Sequence, residues 1–263
     1  MRNIHAFRLG MNYYPINHKK PNSFSGYVNF KKAASISPLY SIAADKARAR
    51  NYVSSKIGRD YLIKDFGIYD SANAIDLDQL PNEFIIKANH GSGWNLICLD
   101  KTNLNWTRAS KILDRWLNMN AYYLSRESHY RHIQPKLIIE KIITNNPKDY
   151  KIYCANGSPR IIQVDSNRFS KHTRDFFNTR WNLLDFQMIY PKSKIEINPP
   201  VNLKLMIQLA EKLSQDFEFV RVDLYNVEGK IYFGELTFFP EGGNSFFRTL
   251  EEDMNFFKLL FHA

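Results

Sequence analysis

The stretch RVDLYNVEGKIYFGELTFF, Arg221 to Phe239, constrains the chain most. Two runs of β-branched and aromatic residues flank the turn-prone Asn226-Val227-Glu228-Gly229, which is the pattern of an antiparallel hairpin. With a three-residue tip, Val227 to Gly229, Tyr225 faces Ile231, Asp223 faces Phe233 and Arg221 faces Glu235. Side chains alternate along a strand, so the odd-numbered residues share a face and diagonal neighbours lie roughly 7–8 Å apart. Asp223 and Glu235 are then within reach of a common ion.

A single acidic residue in a strand is ordinarily the wet side of a ribbon. Glu235, however, is the only charge among Phe233, Gly234, Leu236, Phe238 and Phe239. A buried carboxylate needs a cation, either a paired side chain or a metal, and Arg221 is the nearest candidate for pairing. A pair of oxygen ligands suits Mg²⁺, which keeps waters and takes further ligands from nucleotide phosphates.

The rest of the chain alternates helical and strand patterns. Residues 1–36 are rich in Asn, Tyr, Lys and Pro and read as an irregular or partly helical lead-in. Ser37 is a plausible N-cap for one helix running through SPLYSIAADKARARNYVSSKIG to Gly58. A strand, Phe84 to Lys87, leads through Ala88-Asn89-His90-Gly91-Ser92-Gly93-Trp94 into a second strand at Asn95 to Leu99. Such a small-residue tip brings backbone N–H groups up to a phosphate, or serves as an ordinary flexible turn. Residues 106–126 read as a helix, Lys136 to Ile143 as a strand, and DYKIYCANGSPRIIQVD as a hairpin with Asn156-Gly157 at its tip. Helices over 201–214 and from Leu250 to the end complete the pattern. No GxxxxGK[ST] or GxGxxG occurs.

Lys and Arg exceed Asp and Glu by 36 to 26, a formal charge of +10, which favours anionic partners. The basic residues are scattered, so nucleic acid is not expected. No apolar run is long enough to span a membrane, and the start lacks the apolar core of a signal peptide, so a cytoplasmic protein is expected. Cys98 and Cys154 sit in apolar strand-like runs and read as buried, inert thiols.

The ordered set SPLYSIAADK, FIIKANHGSG, LIIEKII, DYKIYC, FVRVDLY and YFGELTFFPEGG, within Pro21 to Gly243, resembles the TupA-like ATP-grasp family linked to bacterial cell-surface polysaccharide biosynthesis. The resemblance implies an α+β fold in which two lobes with antiparallel sheets clamp ATP. On this chain that gives a lead-in at 1–36, a first lobe with a glycine-rich lid at 37–139, and a second lobe with hinge and metal site at 140–263. Lys46 and Lys87 resemble the lysines on the α- and β-phosphates, and His90, Gly91, Ser92 and Gly93 the lid. Glu140 resembles the acceptor of the adenine amino group, Lys141, Ile142 and Ile143 the hinge backbone, and Asp149 the ribose acceptor. Asp223 and Glu235 match the magnesium carboxylates, with Thr237 standing where related ligases place Asn. Arg221, Lys151 and Arg168 resemble the cations facing the γ-phosphate or acyl group.

The implied activity is an ATP- and Mg²⁺-dependent carboxylate–amine ligation through an acyl phosphate. It would join an amino acid or peptide to an acidic sugar of a capsule, O-antigen or teichuronic-type polymer. A phosphotransferase, a glycosyltransferase of the same pathway and a non-catalytic anion-binding module are the competing expectations. Little chain precedes Asp45-Lys46, so part of the substrate site is expected from elsewhere, through a homo-oligomer or an enzyme of polysaccharide assembly.

Overall fold

Alternation of buried and half-exposed positions, clearest in Phe84–Ala88, pairs the apolar runs into antiparallel sheets. A computed structural model describes residues 17, 19–34, 37–144, 148–167 and 170–262. Among these the helices are α1 (Phe24–Ala33), α2 (Pro38–Ala44), α3 (Ala49–Ile57), α4 (Trp106–Leu117), α5 (Ala121–Ser125), α6 (Leu203–Ser214) and α7 (Leu250–Phe261). The strands are β1 (Asp65–Tyr69), β2 (Phe84–Ala88), β3 (Asn95–Cys98), β4 (Leu137–Glu140), β5 (Lys148–Ala155), β6 (Ser158–Ser166), β7 (Thr173–Asn178), β8 (Leu183–Leu184), β9 (Phe219–Val227) and β10 (Lys230–Thr237). The chain forms two units, one combining Met1–Ser35 with Pro147–Ala263, the other Ile36–Asn146.

The middle unit holds a four-stranded sheet in the order β1-β4-β2-β3. Phe84 and Ile86 of β2, Leu137 and Ile139 of β4, and Cys98 of β3 form its core with Leu113 of α4, backed by Trp106 and Trp116. The other face of β2 and β4 carries Lys87 and Glu140. β1 is bulged between Asp65 and Gly67, and Gly67 has φ +131°, which a side chain rarely adopts. That bulge sets Asp65 opposite Glu140.

The helix expected over 37–58 is two helices. Asp45 ends α2, and its carboxylate accepts from the N–H of Ala47 and of Arg48 (2.9 and 3.2 Å) while also holding the Asn89 amide. A side chain that satisfies the orphan donors of a new first turn restarts the helix. The helix expected over 106–126 likewise breaks, at Asn118 to Asn120, where Asn120 accepts from the Tyr122 N–H at the start of α5. The strand expected over 136–143 stops at Glu140.

The other unit is a six-stranded antiparallel sheet, β10-β9-β5-β6-β7-β8. The Asn156-Gly157 tip has φ +50° and +75°, the two left-handed positions that a two-residue hairpin turn requires. α6 packs along β5, β6 and β9 on one face. On the opposite face, at one end of the strands, Phe24 of α1 and Phe256 of α7 close over Tyr153, Phe176 and Phe219 with ring centroids 4.9–5.7 Å apart. Burying each such ring contributes roughly 1.5–3 kcal/mol.

α1 is therefore part of this unit and not of a separate lead-in. Ser23 caps it, the Ser25 N–H donates to the fully buried Asp253 (2.9 Å), and Asn29 donates to the Gly243 carbonyl (2.7 Å). The expected boundary at 139/140 also moves, because Glu140 is the last residue of β4 and is paired to both β1 and β2. Residues 1–16 and 145–147 lie outside the described residues.

Candidate active site

In the six-stranded sheet the site is built by one insertion. The β9–β10 turn is the two residues Glu228 and Gly229, at φ +52° and +82°, and Lys230 pairs with Val227. The expected three-residue tip is thus corrected, since both left-handed positions are filled in the two-residue form. Continued without interruption, this register sets Asp223 against Gly234. A bulge between Phe233 and Glu235 supplies one extra residue, so that Glu235 pairs with Asp223 and Thr237 with Arg221. Phe233 pairs instead with Leu224. Glycine at 234 admits the close approach: a Cβ there would lie 3.0 Å from the Asp223 carbonyl oxygen and 3.2 Å from the Tyr225 ring.

Around this pair the cations are fixed. Arg221 donates from Nε to Asp223 Oδ1 and from Nη2 to Asp223 Oδ2, both at 2.7 Å, the bidentate geometry that makes such pairs strong. Nη2 also donates to the Thr237 hydroxyl (3.2 Å), which in turn donates to Glu235 Oε1 (3.1 Å). On β5, opposite Asp223, Lys151 places its ammonium 3.3 Å from Asp223 Oδ2 and ion-pairs with Asp149. Asp149, Lys151, Arg221 and Asp223 are all buried. The Glu235 side chain is 38% exposed, which leaves this carboxylate open on one side.

Burial pushes the Asp223 carboxyl up, against the pull of Arg221 and Lys151. Burial also works against the Arg221 charge, but Asp223 outweighs it and holds the guanidinium well above its ordinary pKa. Further along the same face, Tyr153 donates to Gln163 (2.6 Å) and Gln163 to Asp165 (3.0 Å). Arg174 clamps Asp165 through two bonds, 2.7 and 3.2 Å. Burial disfavours the Asp165 carboxylate, yet Arg174 keeps it well below the usual range.

In the middle unit the two expected lysines are already engaged. Lys46 donates from Nζ to the Gly91 carbonyl (2.7 Å) and from its backbone N–H to Asn89 O (3.2 Å), which ties it to the glycine-rich loop. Lys87 lies 2.6 Å from Glu140 Oε2. His90 is buried, and its Nε2 stands 3.0 Å from the carbonyls of both Trp116 and Met119. His90 thus anchors the loop to the end of α4 and is not presented to a ligand. Gly91 lets the Trp94 ring come to 2.7 Å of where a Cβ would be, and Gly93 takes φ +74°; Ser92 is exposed between them. Lys141 donates its N–H to the Lys64 carbonyl (2.9 Å), and Ile142 and Ile143 follow half-buried.

Arg50, on α3, escaped the sequence reading. It reaches Asp65 (2.6 Å), the Ile63 carbonyl (2.9 Å) and Glu140 Oε1 (3.2 Å). Its position in a helix of mixed polarity carries no signal, because its partners are made neighbours only by the sheet. Arg168 lies outside the described residues.

A TupA-like ATPgrasp family model matches residues 28–256, which takes in every one of these side chains. The chain belongs to the TupA-like ATP-grasp family. No curated protein matches it in sequence. The solved structures similar to this TupA-like chain include D-alanine–D-alanine ligase from Bacillus anthracis complexed with ATP, at 14% identity and TM-score 0.46, covering 76% of this chain and 56% of that one. The ATP-grasp ligase PsnB with its minimal precursor matches at 11% and 0.46, over 82% and 59%. The ADP complex of purK, an N5-carboxyaminoimidazole ribonucleotide synthetase, matches at 12% and 0.47, over 76% and 46%. The chain thus spans little more than half the length of the first two.

Asp223 and Glu235 are oxygen donors of the kind that suits magnesium, with Asp223 bonded to Arg221 through both oxygens and Glu235 the more open of the two. Asp223 and Glu235 stand opposite one another on one sheet face, both oxygen donors. Among the described residues no group of three or more His, Cys, Asp or Glu side chains could hold a metal ion. Two carboxylates with phosphates completing the shell is the arrangement ordinary for Mg²⁺. Thr237 serves this set by orienting Glu235 and Arg221. Among the described residues, no helix is long and apolar enough to cross a membrane.

Proposed function

We propose that the chain is an ATP- and Mg²⁺-dependent carboxylate–amine ligase that forms an amide by way of an acyl phosphate. The observation that carries this reading is the bulge-set pair Asp223–Glu235, flanked by Arg221 and Lys151, inside a chain of the TupA-like ATP-grasp family. Asp223 and Glu235 would hold Mg²⁺, which when bound neutralises phosphate charge. Lys46 and Lys87 take the phosphates of ATP, with Gly91 to Gly93 as the loop over them.

Arg221 and Lys151 stabilise the negative charge that develops as the γ-phosphoryl passes to the substrate carboxylate. Fixed cations of this kind lower the barrier without reorganising during the reaction. Asp149 holds Lys151 in place, a role its ion pair favours over contact with ribose. The amine then attacks the acyl carbon, the amide bond forms, and phosphate leaves. For the substrates we propose an amino acid or short peptide and an acidic sugar of a surface polysaccharide, in keeping with the net charge of +10.

The test is ADP release by purified protein with Mg-ATP against panels of amino acids and uronic sugars, with the product examined for an amide. Amide and ADP in equal amounts support the ligase. Phosphorylated sugar without amide identifies a phosphotransferase, and turnover of nucleotide sugars in the absence of ATP a glycosyltransferase.

A further inference from the structure

Lys87 and Glu140 do not form an isolated pair. Arg50 donates from Nη1 to Glu140 Oε1 at 3.2 Å, while Lys87 sits on the other oxygen, Oε2, at 2.6 Å. The same guanidinium is anchored by Asp65 at 2.6 Å and by the Ile63 carbonyl at 2.9 Å. Positive and negative groups therefore alternate in the order Asp65, Arg50, Glu140, Lys87. The bulge at Gly67 is what places Asp65 opposite Glu140, so both ends of the arginine fork are fixed by strands of one sheet. The side chains of Arg50 and Glu140 are 15% and 11% exposed, sheltered enough that the pairing is not diluted by water.

We infer that Arg50 is a positioning residue that makes the site selective for a 6-amino purine, acting through Glu140; this rests on the reading of the chain as an ATP enzyme in which Glu140 meets the base. A carboxylate oxygen offers two lone-pair directions, so Oε2 accepts from an exocyclic amine while Lys87 uses the other. Arg50 fixes the plane of the carboxylate by holding Oε1. A base with an oxo group at that position presents an acceptor to an acceptor, and a carboxylate that cannot turn away keeps the full penalty. Without Arg50, Glu140 swings on Lys87 alone and the penalty is lost.

The experiment is calorimetric titration of the full chain with Mg-ATP and with Mg-GTP. Wild type is expected to favour ATP clearly. Arg50→Met, which keeps the packing of the stem, is expected to narrow the ATP/GTP preference by about tenfold or more, with Arg50→Lys recovering part of it. Asp65→Asn is expected to shift the preference in the same direction by less, and it carries the test should Arg50→Met fail to fold. An unchanged preference in Arg50→Met, or equal loss of both nucleotides, overturns the inference, since a merely structural arginine or one serving the phosphates acts on both alike. Wild type that binds ATP and GTP equally also overturns it. Wild type that binds neither overturns the ATP reading itself.

Discussion

Asp223 and Glu235 are direct cross-strand partners only because Gly234 is an extra residue in β10. Cross-strand partners on one face come close enough for a shared ligand, whereas a one-residue slip sends one of them to the opposite face. The pairing of these two carboxylates thus depends on a residue that has no side chain.

Gly234→Ala is expected to cost about 1–2 kcal/mol and Gly234→Val about 2–4 kcal/mol, because the Asp223 backbone must give way or the register must slip. Urea unfolding monitors the stability, and Mg²⁺-dependent ATP binding monitors the register. Loss of binding that exceeds the loss of stability is the expected signature.

Thr237→Val removes the hydroxyl that links Arg221 to Glu235 and leaves the volume nearly unchanged. One such bond to charged groups contributes about 1.5–3 kcal/mol, so the melting temperature is expected to fall by several degrees and turnover by about tenfold or more. Thr237→Ser is expected to recover most of the rate. Steady-state ADP release checks both.

The Asp165–Arg174 pair predicts an acid limb in the stability. The folded-state pKa of Asp165 lies below its ordinary 3.8. The stability it contributes is complete above that value, where the unfolded chain is also ionised, and is lost as pH falls through the folded pKa. Asp165→Asn is expected to lower stability by about 3–5 kcal/mol at neutral pH, by leaving Arg174 buried and unmatched, and to flatten the dependence below about pH 4. Chemical denaturation across that range measures it.

Both thiols are expected to be silent. Burial pushes Cys154 up to about 12 and raises Cys98 as well, so little thiolate forms near neutrality. A thiol reagent should label neither in the folded protein and both in denaturant.

Much of this was legible in the sequence, and the misses have physical causes. The hairpin and the Asn156-Gly157 tip follow from alternation and turn chemistry, which are local, whereas Asp223 and Glu235 share a face only because the bulge offsets the shorter turn. The register does not follow, because a shorter turn and a bulge change the partners while leaving both carboxylates on the expected face. The break at Asp45 is a local cap by its own carboxylate, masked by the helical periodicity on either side. The placement of α1 depends on Asp253 and the role of Arg50 on a bulge at Gly67, and these are tertiary relations between residues whose own neighbours in sequence give no sign of them. Lys46, Lys87 and Glu140 were named by resemblance to a family, and their partners, Gly91 O and one another, are visible only in the structure.

The central claim is that the carboxylate pair holds a divalent ion for ATP, and the most direct measurement is the Mg²⁺-dependent part of ATP binding in Glu235→Gln against wild type. The account predicts that wild type binds ATP far better with Mg²⁺ than without, that Glu235→Gln loses this increment while keeping its melting temperature, and that its turnover falls by about 10²–10³. An undiminished Mg²⁺ increment and ATP-dependent rate in a folded Glu235→Gln protein would contradict it.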